Sequence, residues 1–463
     1  MAATKSHVGS KIRGLGPISE AYQLAMHTLD QYRGTIVACR YSLIPILARP
    51  ESLATLKARF CVALSRVVLD QPHLQIGIIG ENSKNPAFVC LDRLDLRNHI
   101  QWITADDSNH FQQLYHETMQ AQLDENMRTS QLSPVGNQDV EPIVDVFEDS
   151  DRWILHLPNP SDKLPPNPEI MTSWPVSLGF VLSELWKAFK PEWLFPPGKT
   201  HARWAPIQAS PYQTRFRNFT VDNHHVMKLV GVCRLHHTTL TGLVHALCLV
   251  SLSTALQGAS GFASRTPYDL RHILPSNTKP YPWLRPKESM CNYVSVVDHE
   301  FDSKLVDTIR SHMPAMSSNS KLLADVLGVI WSVSARVQHE IQTRLDSGTR
   351  NNLISIMKLC PDWNSQQQSE MRRMRYLSWL VTNLCVIDGE SSTTVGKGGA
   401  WSLRRAELLL STETASAALS VSIMTVKGRE MCLTCSWQDC VVDTELGERL
   451  MGGLERWLKD ISS

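Results

Sequence analysis

The segment Leu240 to Leu256, LTGLVHALCLVSLSTAL, is apolar on almost every face of a helix. Such a helix cannot lie with one side in water. Other elements must wrap it, so the fold has layers around a deep core. It falls short of the roughly 20 residues that span a bilayer, and His245 interrupts it. Thr238 or Thr239 supplies the N-cap, a short hydroxyl just before the first apolar turn. Three histidines, His236, His237 and His245, raise the question of a metal. A zinc-binding helix carries its ligands one turn apart on one face. His236 and His237 are adjacent and point about 100° apart, while His245 lies two turns or more beyond. No cysteine or carboxylate completes a ligand set, so this is read as a core helix and no metal is expected. Only its first turn, with free amides and the positive end of the macrodipole, suits a ligand, an anion such as a phosphate.

The chain of 463 residues is long for one core, which predicts two domains of about 200 residues each. Hydrophobic residues at 43% and charged residues at 20% place it among ordinary globular proteins. A net charge of +1 supplies no general basic field for nucleic acid or an anionic membrane. The start, MAATKSHVGSKIRGLGPISEAYQ, has no apolar signal core, and no run is long enough to span a membrane, so a cytoplasmic protein is expected; a monomer is the expected state. The 11 cysteines sit mostly in apolar segments, as reduced thiols do. Cys432 and Cys435 form a Cys-x-x-Cys, but EMCLTCSW reads as a strand. Residues three apart on a strand face opposite sides and cannot share a metal.

Along the chain, helical spacing of Leu53, Leu56, Phe60, Leu64 and Val67 predicts a first helix that Gln71-Pro72 stops. Short strands follow at HLQIGIIG and PAFVCLDRLDL, a helix at HFQQLYHETMQAQLDE, strands at PIVDVF and RWILHLP, and a helix from Phe180 to Lys190. The Pro-rich, aperiodic residues 196–211 divide a first domain, 1–195, from a second, 212–463. The second begins with a strand, TRFRNFTVD, and a helix around NHHVMKLVGVCRLH before the core helix. Strands are expected at ESMCNYVSVVDHEF, LSWLVTNLCVID, WSLRRAELLLS, AALSVSIMTVKG and MCLTCSWQ, and helices over Leu305–Met313 and Lys321–Leu345. A closing helix is capped by Asp443, with Leu446, Leu450, Leu454 and Leu458 on one face. The fold class is α+β, two sheet-and-helix domains.

The stretches CRLHHTTLTGLVHAL, TPYDLRHILP, PYPWLRPKESMCNYVS, VTNLCVIDG, WSLRRAELLLS and SWQDCVVDTELGERLMGGLERWL, in that order, resemble the fungal alcohol O-acetyltransferase family. That family is part of the coenzyme-A-dependent acyltransferase superfamily, with its chloramphenicol-acetyltransferase-like fold. The likeness runs over about Tyr212 to Leu458, with LDQPHLQIGI and ILHLPNPSDKLPP as weaker matches in the first half. It implies two similar α/β sandwich domains with an active-site tunnel between them. It also implies a small-molecule alcohol acceptor, and acetyl-CoA or another acyl-CoA as co-substrate with no permanently bound cofactor. The reaction needs an imidazole to take the hydroxyl proton and a donor to steady the oxyanion.

Relatives supply the base as His-x-x-x-Asp at the end of a first-domain strand. None of the 17 histidines here has an aspartate four residues on. PIVDVF and RWILHLP, which flank the motif in relatives, are joined only by Glu148 to Asp151, so the loop near residues 147–153 is missing. Either an exon is missing from the coding sequence, which the family-like flanks favour, or the protein is a degenerate member acting as a binding or scaffold protein. His156 and His237 are the substitute bases to weigh. Asn292 and Tyr293 match a family strand along the tunnel, and alternation points Asn292 inward. Thr239 would border the donor. Asp269 and Arg271 match a structural ion pair of the superfamily. Lys397, in the Gly-rich GKGGAW, would meet a coenzyme A phosphate or sit in a plain hairpin loop. The function expected is transfer of an acetyl or short acyl group from acyl-CoA to a small alcohol or secondary metabolite. A condensation enzyme fed by a carrier protein is disfavoured, since no carrier or adenylation segment accompanies the chain.

Overall fold

The computed structural model describes residues 8–16, 19–125, 153–159, 162–190, 194–276, 278–313, 324–389 and 401–463. The expected strand PIVDVF, residues 148–152 after it and Lys397 lie outside the described residues. The first half contains β1 (Val8–Gly14), α1 (Ser19–Thr28), β2 (Thr35–Ser42), α2 (Leu53–Asp70), β3 (Ile76–Ile79), β4 (Ala87–Leu91) and β5 (Arg93–Asp95). It continues with α3 (Ser108–Asp124), β6 (Ile154–His156), α4 (Pro168–Met171) and α5 (Leu178–Phe189). The strands β1, β4 and β3 make one antiparallel sheet, and β5 pairs with β6. The sequence reading missed β1, α1 and β2, which lack a clean apolar period.

The helix α2 forms where its spacing predicts, but its burial does not follow its apolar residues. Lys57, Cys61 and Val68 are buried, whereas Leu53, Phe60 and Val67 are exposed. The cause is Trp102, whose ring takes the Lys57 ammonium 5.2 Å from its centroid and the edge of Phe60 at 5.4 Å. A lysine stem can cover apolar surface as well as a leucine does. The apolar spacing that predicts the helix therefore does not mark its buried side.

The second half holds β7 (Thr214–Val221), α6 (Asn223–Leu235), α7 (Leu240–Ala255), β8 (Phe262–Asp269), β9 (Val294–Phe301), α8 (Ser303–His312) and α9 (Ala324–Asp346). It continues with α10 (Leu353–Met357), α11 (Trp363–Glu370), β10 (Trp379–Ile387), β11 (Ser402–Leu410), β12 (Leu419–Val426), β13 (Met431–Gln438) and α12 (Thr444–Ile461). A six-stranded sheet runs β7-β13-β12-β10-β8-β9, with β12, β10 and β8 parallel and the rest antiparallel. The strand β8 was not anticipated, because FASRTPYD has one β-branched residue, a proline, and Ser264 and Thr266 where a core strand would carry apolar side chains.

As expected, α7 is the buried centre of the helical layer. Every residue from Gly242 to Thr254 is buried, packed among the sheet, α6, α8, α9 and α12. Among the described residues no single helix is long and apolar enough to cross a membrane; α6 and α7 pass that test only together, bent by 89°. Asp443 caps α12 by accepting from the Glu445 amide, and Leu450, Leu454 and Leu458 are fully buried. Cys432 and Cys435 are free thiols on opposite faces of β13, the first beside Arg405 of β11 and the second in the helical core.

On the far face of the sheet, β11 pairs antiparallel along its whole length with β2 of the first half. A polar cluster fastens this junction. The buried Glu407 carboxylate accepts from Tyr115 of α3 and Asn218 of β7, both at 2.7 Å, and pairs with Arg405 at 2.5 Å. Burial and the adjacent Glu407 charge push the Tyr115 hydroxyl pKa well above its usual value, so it stays a donor.

Candidate active-site crevice

The parallel strands β8 and β10 touch at only two register positions, Trp379 with Ser264 and Leu380 with Arg265. Beyond them β8 follows β9 to Asp269, and β10 follows β12 to Ile387. The two strands part toward their carboxyl ends. In open α/β sheets ligands bind in crevices at that end of parallel strands. On the parting side β10 is irregular between Asn383 and Val386, and Cys385 takes a left-handed φ of 61°. The bend leaves Leu384 and Val386 exposed.

The first turn of α7 lies against this bend. Asn383 donates to Thr241 Oγ1 at 3.1 Å, and its own oxygen accepts from the Cys385 amide at 2.8 Å. Thr239 is the N-cap, accepting from the Gly242 amide at 3.4 Å and donating to Gln338 of α9 at 2.8 Å. Gly242 is required here: a Cβ would stand 2.6 Å from the Ser334 carbonyl oxygen of α9. The close crossing leaves Thr238 to donate to that same carbonyl at 2.8 Å.

Where the strands begin to part, the interior is polar. The indole N–H of Trp379, a donor only, points at His245 Nδ1 from 3.0 Å, and the Ser264 hydroxyl lies 2.9 Å from the same nitrogen. Nδ1 is thereby the acceptor, and Nε2–H donates to Thr266 Oγ1 at 2.9 Å. The Thr266 hydroxyl is free to donate to His299 Nε2 at 2.9 Å, and His299 Nδ1–H to Glu340 at 2.5 Å. One directed chain thus runs from β10 through α7, β8 and β9 to α9, ending at a half-exposed carboxylate. Burial first, then the adjacent His299, hold the His245 pKa well below its usual 6.5, which keeps it neutral. The sequence reading found His245 but none of its partners. Ser264 and Thr266, two apart on one strand face, were the available signal.

The other anticipated residues fall in four places. His236 stacks on Trp331 at 4.2 Å, and His237 follows α6 with a left-handed φ of 52°, exposed just before α7. Asp269 and Arg271 stand at the carboxyl end of β8, joined at 2.9 Å. Arg271 also donates to the carbonyls of Pro286, Ser289 and Cys291, so it clamps the loop before β9. Asp269 is exposed, so the pair is not a buried one. The strand begins only at Val294, and strand alternation does not reach Asn292, which is exposed. Tyr293 is the buried member, donating to the Pro166 carbonyl at 2.7 Å and so joining the two halves of the chain. His156 lies exposed on β6 opposite Arg93, and no contact brings it to the crevice. No group of three or more His, Cys, Asp or Glu able to hold a metal occurs among the described residues.

Helices and sheets in this arrangement are those of a two-domain acyltransferase fold. The TRI3 trichothecene 15-O-acetyltransferase of Fusarium sporotrichioides superposes with a TM-score of 0.59 at 12% identity, covering 99% of this chain and 96% of that one. No family model matches the sequence. The chain is 25% identical to the probable alcohol acetyltransferase FCK4 of Fusarium pseudograminearum over 96% of its length and 94% of that protein's. The chain is thus similar along nearly its whole length to a probable alcohol acetyltransferase, in keeping with the resemblance of the ordered stretches in its second half.

Proposed function

We propose that this protein moves an acetyl or short acyl group from acyl-CoA to the hydroxyl of a small alcohol or secondary metabolite. The full-length similarity to an alcohol acetyltransferase carries this reading. The crevice supports it. Free amides at the start of α7, with Thr239 and Thr241, suit an anionic part of the donor, and the exposed Leu384 and Val386 offer an apolar wall. The hydroxyl oxygen attacks the thioester carbonyl, a base takes the hydroxyl proton, and the thiolate leaves with a proton. Asn383 is the amide suited to steady the oxyanion. Of the two substitute bases, His237 is favoured because it lies two residues before the Thr239 cap of α7, whereas His156 lies on β6 opposite Arg93.

A second reading is a silent family member that keeps the donor site, and the absence of His-x-x-x-Asp favours it. Thiol release from acetyl-CoA with a panel of alcohols separates the two. Turnover lost on His237→Ala and kept on His156→Ala supports the enzyme as written. Acetyl-CoA binding with turnover about 10²–10⁴-fold below an ordinary rate supports the silent reading. Genomic DNA around the codons for Phe147 to Trp153 tests the missing exon: an in-frame His-x-x-x-Asp there identifies it.

A further inference from the structure

The helix α5 is capped by Ser177, whose hydroxyl accepts from the Phe180 amide, and is followed by Pro191. Half-buried Phe180, Val181 and Leu185 face the protein. The opposite face is the unusual one. Leu178, Leu182 and Trp186 recur at i, i+4 and i+8 and are 74%, 58% and 52% exposed. Phe195 lays its edge on Trp186 at 4.8 Å, and Leu194 and Phe195 are themselves exposed. Contiguous apolar surface of this kind marks a docking site.

Charge says what docks. The exposed stripe carries no carboxylate, because Glu184 is turned inward and paired with Lys187 at 2.7 Å. From Leu178 to Arg203 the sequence holds Lys187, Lys190, Lys199 and Arg203 against Glu184 and Glu192. The whole-chain charge of +1 conceals this local excess. Leucine, tryptophan and phenylalanine on one face, with Lys187 and Lys190 on the same helix and further basic residues following in the sequence, is the pattern of a helix lying in a membrane interface. The indole N–H of Trp186 would meet headgroups while the ring enters the acyl boundary.

We propose that the exposed face of α5 seats this protein on an anionic lipid surface, without spanning it. The full-length protein is mixed with vesicles of phosphatidylcholine alone or with phosphatidylserine added, and bound protein is measured by co-sedimentation. Binding is expected to the serine-lipid vesicles and to weaken as salt is raised. Leu182→Asp and Trp186→Asp should each lower partitioning at least about tenfold, the order expected for one large apolar side chain. Leu182 makes no ring contact and is mostly exposed, so Leu182→Asp should leave the melting temperature within a few degrees, which separates lost binding from lost folding. Ser183→Asp, on the same face with no apolar group removed, should weaken binding too. No binding to anionic vesicles, or binding that all three variants leave intact, overturns the proposal. So does a dimer in sedimentation velocity that these variants dissociate, which would give the face to a second copy.

Discussion

The His245 chain predicts a stability that falls in acid at a defined rate. Above its ordinary pKa of 6.5, His245 is neutral folded and unfolded alike, and contributes no pH dependence. Below 6.5 the unfolded chain takes up a proton that the folded protein refuses, because Nδ1 already accepts from Trp379 and the ring is buried. Stability therefore falls by up to about 1.4 kcal/mol per pH unit until the depressed folded pKa is reached. His245→Gln removes this dependence, since a glutamine can accept from Trp379 and donate to Thr266 without titrating. Imperfect geometry in a packed interior should cost about 2 kcal/mol at pH 8. The two proteins should then converge near about pH 5, where the acid loss of the wild type matches that cost. Urea melts from pH 8 to pH 5 measure both curves, and their difference cancels the other histidines. Parallel curves would show that His245 titrates normally in the folded state, and the directed chain of hydrogen bonds would have to be abandoned.

Gly242→Ala normally favours a helix, yet here it should destabilise by about 1–3 kcal/mol, because the Ser334 carbonyl cannot withdraw without moving α9; chemical melts decide it. Arg271→Ala should cost about 1–3 kcal/mol by releasing the loop and leaving the Pro286 carbonyl without its guanidinium donor, while the Ser289 and Cys291 carbonyls keep the Cys291 thiol and the Tyr293 amide. A loss of 4 kcal/mol or more would contradict this. Asn383→Ala should leave stability within about 1 kcal/mol and lower kcat/KM for acyl transfer by about 10²-fold. Full activity would remove Asn383 from the oxyanion role.

Where apolar period and burial agree, the sequence was easy to read. The helices α7 and α12 carry apolar residues wherever the core needs them, and their caps, Thr239 and Asp443, are the short oxygens expected there. Reading failed where packing uses other chemistry. On α2 a lysine over an indole replaced an apolar contact. On β8 the residues facing α7 are serine and threonine, because the strand must satisfy His245 as it leaves β10. The crevice itself was illegible, since no residue pattern states that two parallel strands stop pairing after two positions. The shift between Asn292 and Tyr293 is smaller but similar. It depended on where β9 starts, and strand ends are set by long-range hydrogen bonds.

The pairing of β2 with β11 has a consequence for how the protein is made. Thr35 is bonded opposite Leu410, so most of the chain is synthesised between the two partners. At bacterial or eukaryotic elongation rates of about 5–20 residues per second, β2 waits on the order of tens of seconds with an open edge. During that time it presents unpaired amides and carbonyls, with Val37 and Tyr41 on show, to any other nascent strand. The first half expressed alone should stay trapped in that condition, and supplying residues 401–463 in trans should rescue its solubility.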